Sequence, residues 1–155
     1  MNNTRQPIEA ISADVPDGYA PHLRKSPLTE PWEPIYSKAV GGSIYLGLRI
    51  RQAHCNSRGF AHGGLISALA DNAMGLSAIE TARQRGLERA AQGLTVSLTI
   101  DFLGSAQIGQ WLEVAPHVLK TGSSLGFVEC LVLGDGQPIA RGNATFRVYS
   151  PASRE

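Results

Sequence analysis

The chain has 155 residues, a formal net charge of +1 at pH 7, 43% hydrophobic residues and 17% charged residues. This length suits one globular domain with a single core and is too short for two full domains. A net charge so close to zero argues against nucleic acid or an anionic membrane as the main partner. The charged fraction is below the usual value of about a quarter, which indicates that another subunit covers part of the surface.

The two cysteines, Cys55 and Cys130, are too few for a disulfide framework and show no paired metal-ligand spacing. We expect both to be reduced thiols. No apolar run approaches the ~20 residues that span a bilayer, and residues 1–22 lack the apolar segment of a secretory signal. The sequence therefore predicts a cytoplasmic protein that does not enter membranes.

Residues 1–34 contain six prolines, which interrupt the chain too often for a long helix and predict an extended arm. A glycine pair, Gly41–Gly42, then suits a turn. Apolar side chains follow at every second position, namely Ile44, Leu46, Leu48 and Ile50. This period of two predicts a half-buried strand within residues 35–54.

From Gly63 to about Ala82 the chain has no proline, and its apolar positions are dense enough to predict one long helix that is buried on most sides. One acid, Asp71, interrupts this apolar run. The C-terminal end of the predicted helix, ETARQRGLERAAQG, is polar and basic, as is typical of a solvated last turn. A single helix can be buried on most sides only if a sheet curls around it or a second subunit closes over it.

Four strand-like runs follow the helix, and turn-type sequences (GSAQIGQ, TGSSL and GDGQP) separate them. The runs are residues 94–103, 111–120, 126–133 and 139–149. Because consecutive strands with short turns pair antiparallel, we predict an α+β fold with a four-strand meander after the helix. The predicted division is an arm at 1–34, a domain at 35–150 and a short tail at 151–155.

A motif at the start of the predicted helix accompanies this order of elements. It reads N-x-x-G-x-x-H-G-G followed by L-x-D, and it comprises Asn56, Gly59, His62, Gly63, Gly64 and Asp71. Together they resemble the hotdog-fold thioesterases, in the branch of the phenylacetate-degradation thioesterases. The block GLTVSLTIDFLGSAQIGQWLEVAPHVLKTGSSLGFVECLV is similar to the strands that follow the helix in that family, and the similarity covers roughly residues 40–150.

The resemblance implies a hotdog fold, in which an antiparallel sheet wraps around one long central helix. It also implies a homodimer, often a dimer of dimers, with active sites at the subunit interface. The family's reaction is hydrolysis of an acyl thioester, commonly acyl-CoA, so acyl-CoA is the expected partner.

Two positions suit the chemistry of a thioester carbonyl. The first N–H groups of a helix have no internal acceptor and lie at the positive end of its dipole, so the Gly63 N–H suits an oxyanion donor, although a plain turn into the helix is an alternative. The resemblance assigns Asp71 as nucleophile or general base, and the sequence leaves both open. Asp71 lies about 12 Å along the helix from the Gly63 amide, so only a partner subunit's Asp71 could reach the same carbonyl.

Three further residues are implied by the resemblance. His62 would orient the loop or the carbonyl, Asn56 would place the attacking water, and Thr95 would hold that water or tune the acid. The residues themselves also fit a structural histidine, an Asx turn and an ordinary strand threonine.

The resemblance also suggests substrate-binding positions, at Gly64 and in the turn that contains Gly122, Ser123 and Ser124. In relatives this turn contacts the pantetheine or nucleotide part of CoA, but an ordinary hairpin turn fits equally well. No cofactor is indicated. No metal site is indicated either, because nothing completes a ligand set with His54, Cys55 and His62.

The sequence thus predicts an acyl-CoA thioesterase and leaves the acyl group open. A non-catalytic acyl-thioester-binding protein with the same fold is one alternative. A hydratase or dehydratase that uses Asp71 and His62 is a second.

Overall fold

The structure is a computed structural model that describes residues 15–87 and 92–149. Its elements are β1 (Ala20–Pro21), β2 (Tyr36–Val40), β3 (Ser43–Arg49), α1 (Gly63–Gln84), β4 (Gln92–Phe102), β5 (Trp111–Thr121), β6 (Leu125–Gly134) and β7 (Gln137–Tyr149). The seven strands form one antiparallel sheet, and β3 to β7 all pack against α1. This is the hotdog arrangement, which confirms the predicted fold class.

The helix α1 forms the centre of the core, as predicted. Leucine and alanine favour a helix, and no proline occurs in this segment. Ten of its 22 residues are buried, and small side chains such as Ala70 and Ala73 let the sheet approach closely. Ser77 joins the helix to the sheet, because its buried hydroxyl accepts a 2.9 Å hydrogen bond from the Ile44 N–H and donates one to the Ala73 carbonyl.

The strand order is β1-β2-β3-β5-β6-β7-β4, so the predicted four-strand meander is wrong in one respect. β5, β6 and β7 form a meander, but β4 lies beyond β7 at the edge of the sheet. The reason is the link between β4 and β5, which crosses the end of the sheet instead of turning back. The Leu103 and Gly104 N–H groups donate to the Ile139 carbonyl at 2.9 and 3.0 Å, and buried Ala106 accepts from the Ala61 N–H at 2.8 Å.

The turn at Gly41–Gly42 is confirmed. Both residues have positive φ, 56° and 87°, a region that glycine enters without steric cost. The turn joins β2 to β3 and places the alternating apolar residues of β3 against the helix.

Before β2, the chain is attached to the outside of the sheet. Tyr19 packs edge-on against Trp111 with ring centroids 5.1 Å apart, and its hydroxyl donates a 2.6 Å hydrogen bond to Glu113. Lys38 forms an ion pair with the same carboxylate at 3.2 Å. Burial, followed by this acid, raises the pKa of Tyr19. β1 then pairs with β2, and residues 22–35 form a loop between the two strands, here called the 22–35 loop.

The predicted domain boundaries stay predictions, because residues 1–14 and 150–155 lie outside the described residues. The same holds for residues 88–91 in the polar segment after the helix. Within the described ranges, no helix combines the length and apolar character needed to cross a bilayer.

Candidate active site

Asp71 lies on the side of α1 that faces β4. Its Oδ1 accepts a 2.7 Å hydrogen bond from the Thr95 hydroxyl. Both residues line a cavity of about 250 Å³, here called the Asp71 cavity. The pairing of β4 with β7 shifts register between Thr95 and Ser97, and such a bulge redirects the side chains beside it. The acid is therefore accommodated in an apolar helix because it faces a cavity and not the packed core.

The helix begins at Gly63, and His62 is its N-cap. The Gly64 N–H donates to His62 Nδ1 at 2.9 Å, so this imidazole nitrogen already has a structural partner. In the described part of the chain, no acceptor pairs with the Gly63 N–H. A side chain at Gly63 would place its Cβ 3.1 Å from the Phe102 ring. The Gly63 N–H is thus an unengaged donor at the positive end of the helix dipole.

The side chain of Asn56 shapes the loop before the helix. Its Oδ1 accepts hydrogen bonds from the Arg58 and Phe60 N–H groups at 2.9 and 3.2 Å, which is the Asx-turn arrangement left open above. Among the residues that the structure describes, its amide nitrogen has no partner, so it can still donate to a ligand.

The buried ring of His54 holds this loop in place through two hydrogen bonds. Its Nδ1 accepts from the Arg51 N–H at 3.1 Å, and its Nε2 donates to the Trp32 carbonyl at 2.9 Å, a pattern that requires the neutral ring. Burial lowers the pKa of His54; the Trp32 carbonyl opposes this shift, and the Arg51 charge adds to it. The His54 carbonyl in turn accepts the His62 N–H at 2.9 Å.

The predicted site residues form two groups in one chain. Asp71 and Thr95 meet in the Asp71 cavity, whereas Asn56, His62, Gly63 and Gly64 surround the start of the helix. About 12 Å of helix separates the two groups. Here residues 54–64 are called the helix entry.

The turn that contains Gly122, Ser123 and Ser124 lines neither the Asp71 cavity nor the second cavity, which lies at the helix entry. It belongs to the β5–β6 hairpin, where the Gly122 N–H donates to the Leu125 carbonyl at 2.7 Å. Arg85, at the far end of α1, donates to the neighbouring Thr121 carbonyl. A role for this turn in substrate binding stays a prediction.

Sequence reasoning missed one part of the site. Four residues of the 22–35 loop line the Asp71 cavity: Arg24, Ser26, Leu28 and Thr29. Leu28 also lines the second cavity, together with His62 and Gly64. A proline-rich segment without periodicity carries no pattern that would place it over a distant helix.

Neither cysteine is prepared to act as a nucleophile. Both are free thiols; burial raises the pKa of Cys130 to about 11 and also raises that of Cys55. At neutral pH both therefore stay protonated. Across residues 15–87 and 92–149, no cluster of three or more His, Cys, Asp or Glu side chains could hold a metal ion.

Comparison with known proteins identifies the family. Residues 58–139 match the model of the thioesterase superfamily. A Pseudomonas aeruginosa protein named "Putative esterase PA0474" is 35% identical over 136 residues, which cover 87% of this chain and 98% of that protein. Human acyl-coenzyme A thioesterase 13 is 31% identical over 109 residues, 69% of this chain and 74% of that protein.

Solved structures share the fold. The smu.793 protein of Streptococcus mutans UA159, bound to acetyl CoA, matches with a TM-score of 0.68 and 23% identity over 83% of this chain and 95% of that one. A mutant form of the phenylacetic acid degradation protein PaaI from Thermus thermophilus matches with a TM-score of 0.65 and 21% identity, over 79% of this chain and 98% of that one. The chain belongs to the thioesterase superfamily, and it is a thioester hydrolase.

Proposed function

We propose that this protein hydrolyses acyl-coenzyme A to the free acid and coenzyme A at a site that two copies of the chain form together. One observation carries the proposal. Asp71, held by Thr95, faces a cavity, while the unengaged Gly63 N–H lies about 12 Å away on the same helix. Two groups that must act on one carbonyl are therefore too far apart in a single chain.

The edge strand β4 supports the pairing of two copies. Among the strands that the structure describes, only β7 pairs with it. Several of its large apolar side chains are exposed, among them Leu94, Val96, Leu98 and Phe102. A long apolar edge strand readily pairs with another strand. Two-fold pairing along β4 would place the two α1 helices antiparallel, so that Asp71 of one subunit approaches Gly63 of the partner subunit.

In this arrangement Asp71 either takes a proton from water or attacks the thioester carbon itself. The Thr95 hydroxyl donates to one carboxylate oxygen and leaves the other for the reaction. The carbonyl oxygen becomes negative as the carbon becomes tetrahedral, and the partner subunit's Gly63 N–H stabilises it. The C–S bond then breaks, and coenzyme A leaves with the sulfur, which takes up a proton from water. If Asp71 acts as the base, the attacking water supplies the new acid oxygen directly; if it acts as the nucleophile, water then hydrolyses the acyl–Asp71 anhydride.

The relatives support coenzyme A as the thiol. The name of human acyl-coenzyme A thioesterase 13 states an acyl-CoA substrate, and the Streptococcus mutans structure is bound to acetyl CoA. Acyl-CoA is therefore the first substrate to test, with release of free thiol as the readout.

The shared site can be tested by mixing two inactive variants. Asp71→Asn removes the base or nucleophile, and Gly63→Pro removes the donor N–H. Proline is tolerated at the first residue of a helix, and the extended His62 backbone (φ −69°, ψ 134°) suits a residue that precedes proline. Each variant alone should lose at least about two orders of magnitude in thiol release.

After the two variants are denatured and refolded together, half of the dimers should be mixed, and each mixed dimer contains one intact site. We therefore expect recovery to about a quarter of wild-type activity. No recovery, despite mixed dimers seen by native mass spectrometry, would contradict the shared site. Saturable acyl-CoA binding by the wild type without thiol release would favour the binding-only alternative, and a double-bond product would favour the hydratase.

A further inference from the structure

The 22–35 loop is held firmly against the helix entry. At its base, the His22 N–H donates to the Ile35 carbonyl at 2.9 Å, and His22 Nδ1 lies 3.1 Å from the Ser37 hydroxyl. Within the loop, Lys25 forms an ion pair with Glu33 at 2.8 Å. The residues at the tip of the loop are therefore presented to the Asp71 cavity in a fixed position.

A second set of contacts comes from the helix entry and the segment before it. Arg51 Nη2 donates to the Pro31 and Glu33 carbonyls at 2.8 and 2.6 Å, and the Trp32 carbonyl accepts from His54. These bonds use backbone carbonyls, so they fix the path of the loop and not merely its side chains.

The two cations at the start of this loop have different surroundings. Lys25 has an acid partner, Glu33. Arg24 is exposed and lines the Asp71 cavity, and within the described ranges no hydrogen bond or ion pair engages its guanidinium. Its charge nevertheless acts locally, because it helps to lower the pKa of His22, after the larger effects of burial and Lys25. No other Lys or Arg of the described chain lines this cavity.

The rest of the cavity has both apolar and polar lining residues and suits a small group. Its volume is about 250 Å³. The Phe146 ring packs against Gly75 on the helix, and Leu28 and Leu76 add apolar surface. Ser26, Thr29, Asn72 and Thr95 are its uncharged polar groups, and Asp71 and Arg24 are its charged groups. A ligand that fills this space therefore meets apolar side chains together with hydrogen-bonding groups, a carboxylate and a guanidinium.

We propose that Arg24 binds an anionic group of the thioester substrate. This inference rests on the proposed function. Two parts of an acyl-CoA present such oxygens: a carboxylate at the far end of the acyl group, and a phosphate of coenzyme A. Guanidinium binds both, since its planar N–H groups match either anion in a two-point contact. Arg24 thus contributes substrate preference and takes no part in the bond-breaking step.

The test uses four substrates that separate the two sources. Hexanoyl and adipoyl groups have the same number of carbons, and only adipoyl ends in a carboxylate. Each is carried on coenzyme A and on N-acetylcysteamine, which has no phosphate. kcat/KM is measured by thiol release for the wild type and for Arg24→Gln. Because Arg24 is exposed, we expect a loss of about tenfold where its anion is present.

A loss confined to adipoyl substrates on both carriers identifies the acyl carboxylate. A loss confined to coenzyme A substrates with both acyl groups identifies a phosphate. Equal loss on all four substrates, or no loss on any, overturns the proposal, because the effect would then not depend on an anion. Arg24→Lys keeps the charge and should retain part of the preference.

Lys25→Gln is the matched control. It removes the adjacent positive charge, which does not line the cavity. In the Lys25–Glu33 ion pair the lysine is exposed, so the pair contributes little. The Arg51 hydrogen bonds to the Pro31 and Glu33 carbonyls still hold the loop. The ratios among the four substrates should therefore stay unchanged. The two hypotheses fail in different ways. Wild-type protein that releases no thiol from any substrate contradicts the proposed function, whereas wild-type release that ignores Arg24→Gln contradicts only the role of Arg24.

Discussion

At the helix entry, hydrogen bonds from within the chain fix residues 54–64, whereas Asp71 faces β4, an edge strand with only one neighbour. His54, Asn56 and His62 each make at least two of the bonds at the helix entry. On the other side, the Thr95 hydroxyl is the one group of the described residues that forms a hydrogen bond with the Asp71 side chain. In the proposed site, the half that would donate to the oxyanion is thus already held in place, and the half that carries the acid is open on the side where we propose a second subunit.

The largest effect should come from removing the proposed oxyanion donor. Gly63→Pro deletes an N–H that no acceptor in the described chain uses, so kcat should fall by about 100-fold or more with little change in Tm. Gly63→Ala is the matched control, since it adds a Cβ near Phe102 but keeps the N–H. Equal losses in the two variants would assign the effect to crowding and not to the missing donor.

The second prediction concerns the hydrogen bonds of His54, which hold the helix entry in place. His54→Ala leaves the Trp32 carbonyl and the Arg51 N–H without their partner in a buried place. We expect the free energy of unfolding to fall by about 2–3 kcal/mol, measured by urea denaturation. A variant as stable as the wild type would show that the helix entry does not depend on this network.

A smaller effect is expected on the side of Asp71. Thr95→Val removes the hydroxyl that donates to the carboxylate and should lower kcat/KM about tenfold, as for one hydrogen bond to a charged group. Because Thr95 is exposed in the single chain, loss of its hydroxyl should change the free energy of unfolding of the subunit by less than about 0.5 kcal/mol. Thr95→Ser keeps the hydroxyl and should stay close to wild-type activity; a loss as large as that of valine would argue against the hydrogen bond.

The smallest effect is a dependence of stability on pH. Burial lowers the pKa values of His22 and His54 below 6.5 in the folded protein. The unfolded chain therefore binds protons that the folded chain excludes, and stability is full above pH 6.5 and falls as the pH decreases below it. The slope should not exceed about 1.4 kcal/mol per pH unit for each histidine. Melting curves from pH 8 to pH 5 should show this decline, and His54→Gln should reduce it.

The sequence predicted the elements better than their order. Period and proline content located α1 and β4 to β7 to within a few residues, because these features depend on local burial. They predicted only one strand within residues 35–54, where the structure has β2 and β3, and they did not predict β1. The position of β4 at the edge depends on where residues 103–110 lie, and those residues contact Ile139 and Ala61, which are distant in sequence. No local pattern contains that information.

The candidate site shows the same limit. The motif marked Asp71 and Gly63 as candidates, and the helical rise of about 1.5 Å per residue already implied that one chain cannot bring them together. The motif gave no indication of His54 or Arg24. His54 contacts the Trp32 carbonyl of the 22–35 loop, and Arg24 of that loop lines a cavity beside the helix. Both placements depend on how this loop packs against segments that follow it in the chain. Loop positions over a helix follow from packing, which a single sequence does not display.

The position of β4 also affects how the protein can be made. Its residues pair with a strand far ahead in the chain, Gln92 with Tyr149 and Phe102 with Ala140. A ribosome that has produced β4 must add all of β5 and β6 before this partner emerges. During that time both edges of β4 and its leucines stay open, a state in which strands of neighbouring nascent chains can pair wrongly. Slow synthesis between residues 103 and 137 should therefore lower the yield of folded protein more than an equal delay after residue 149.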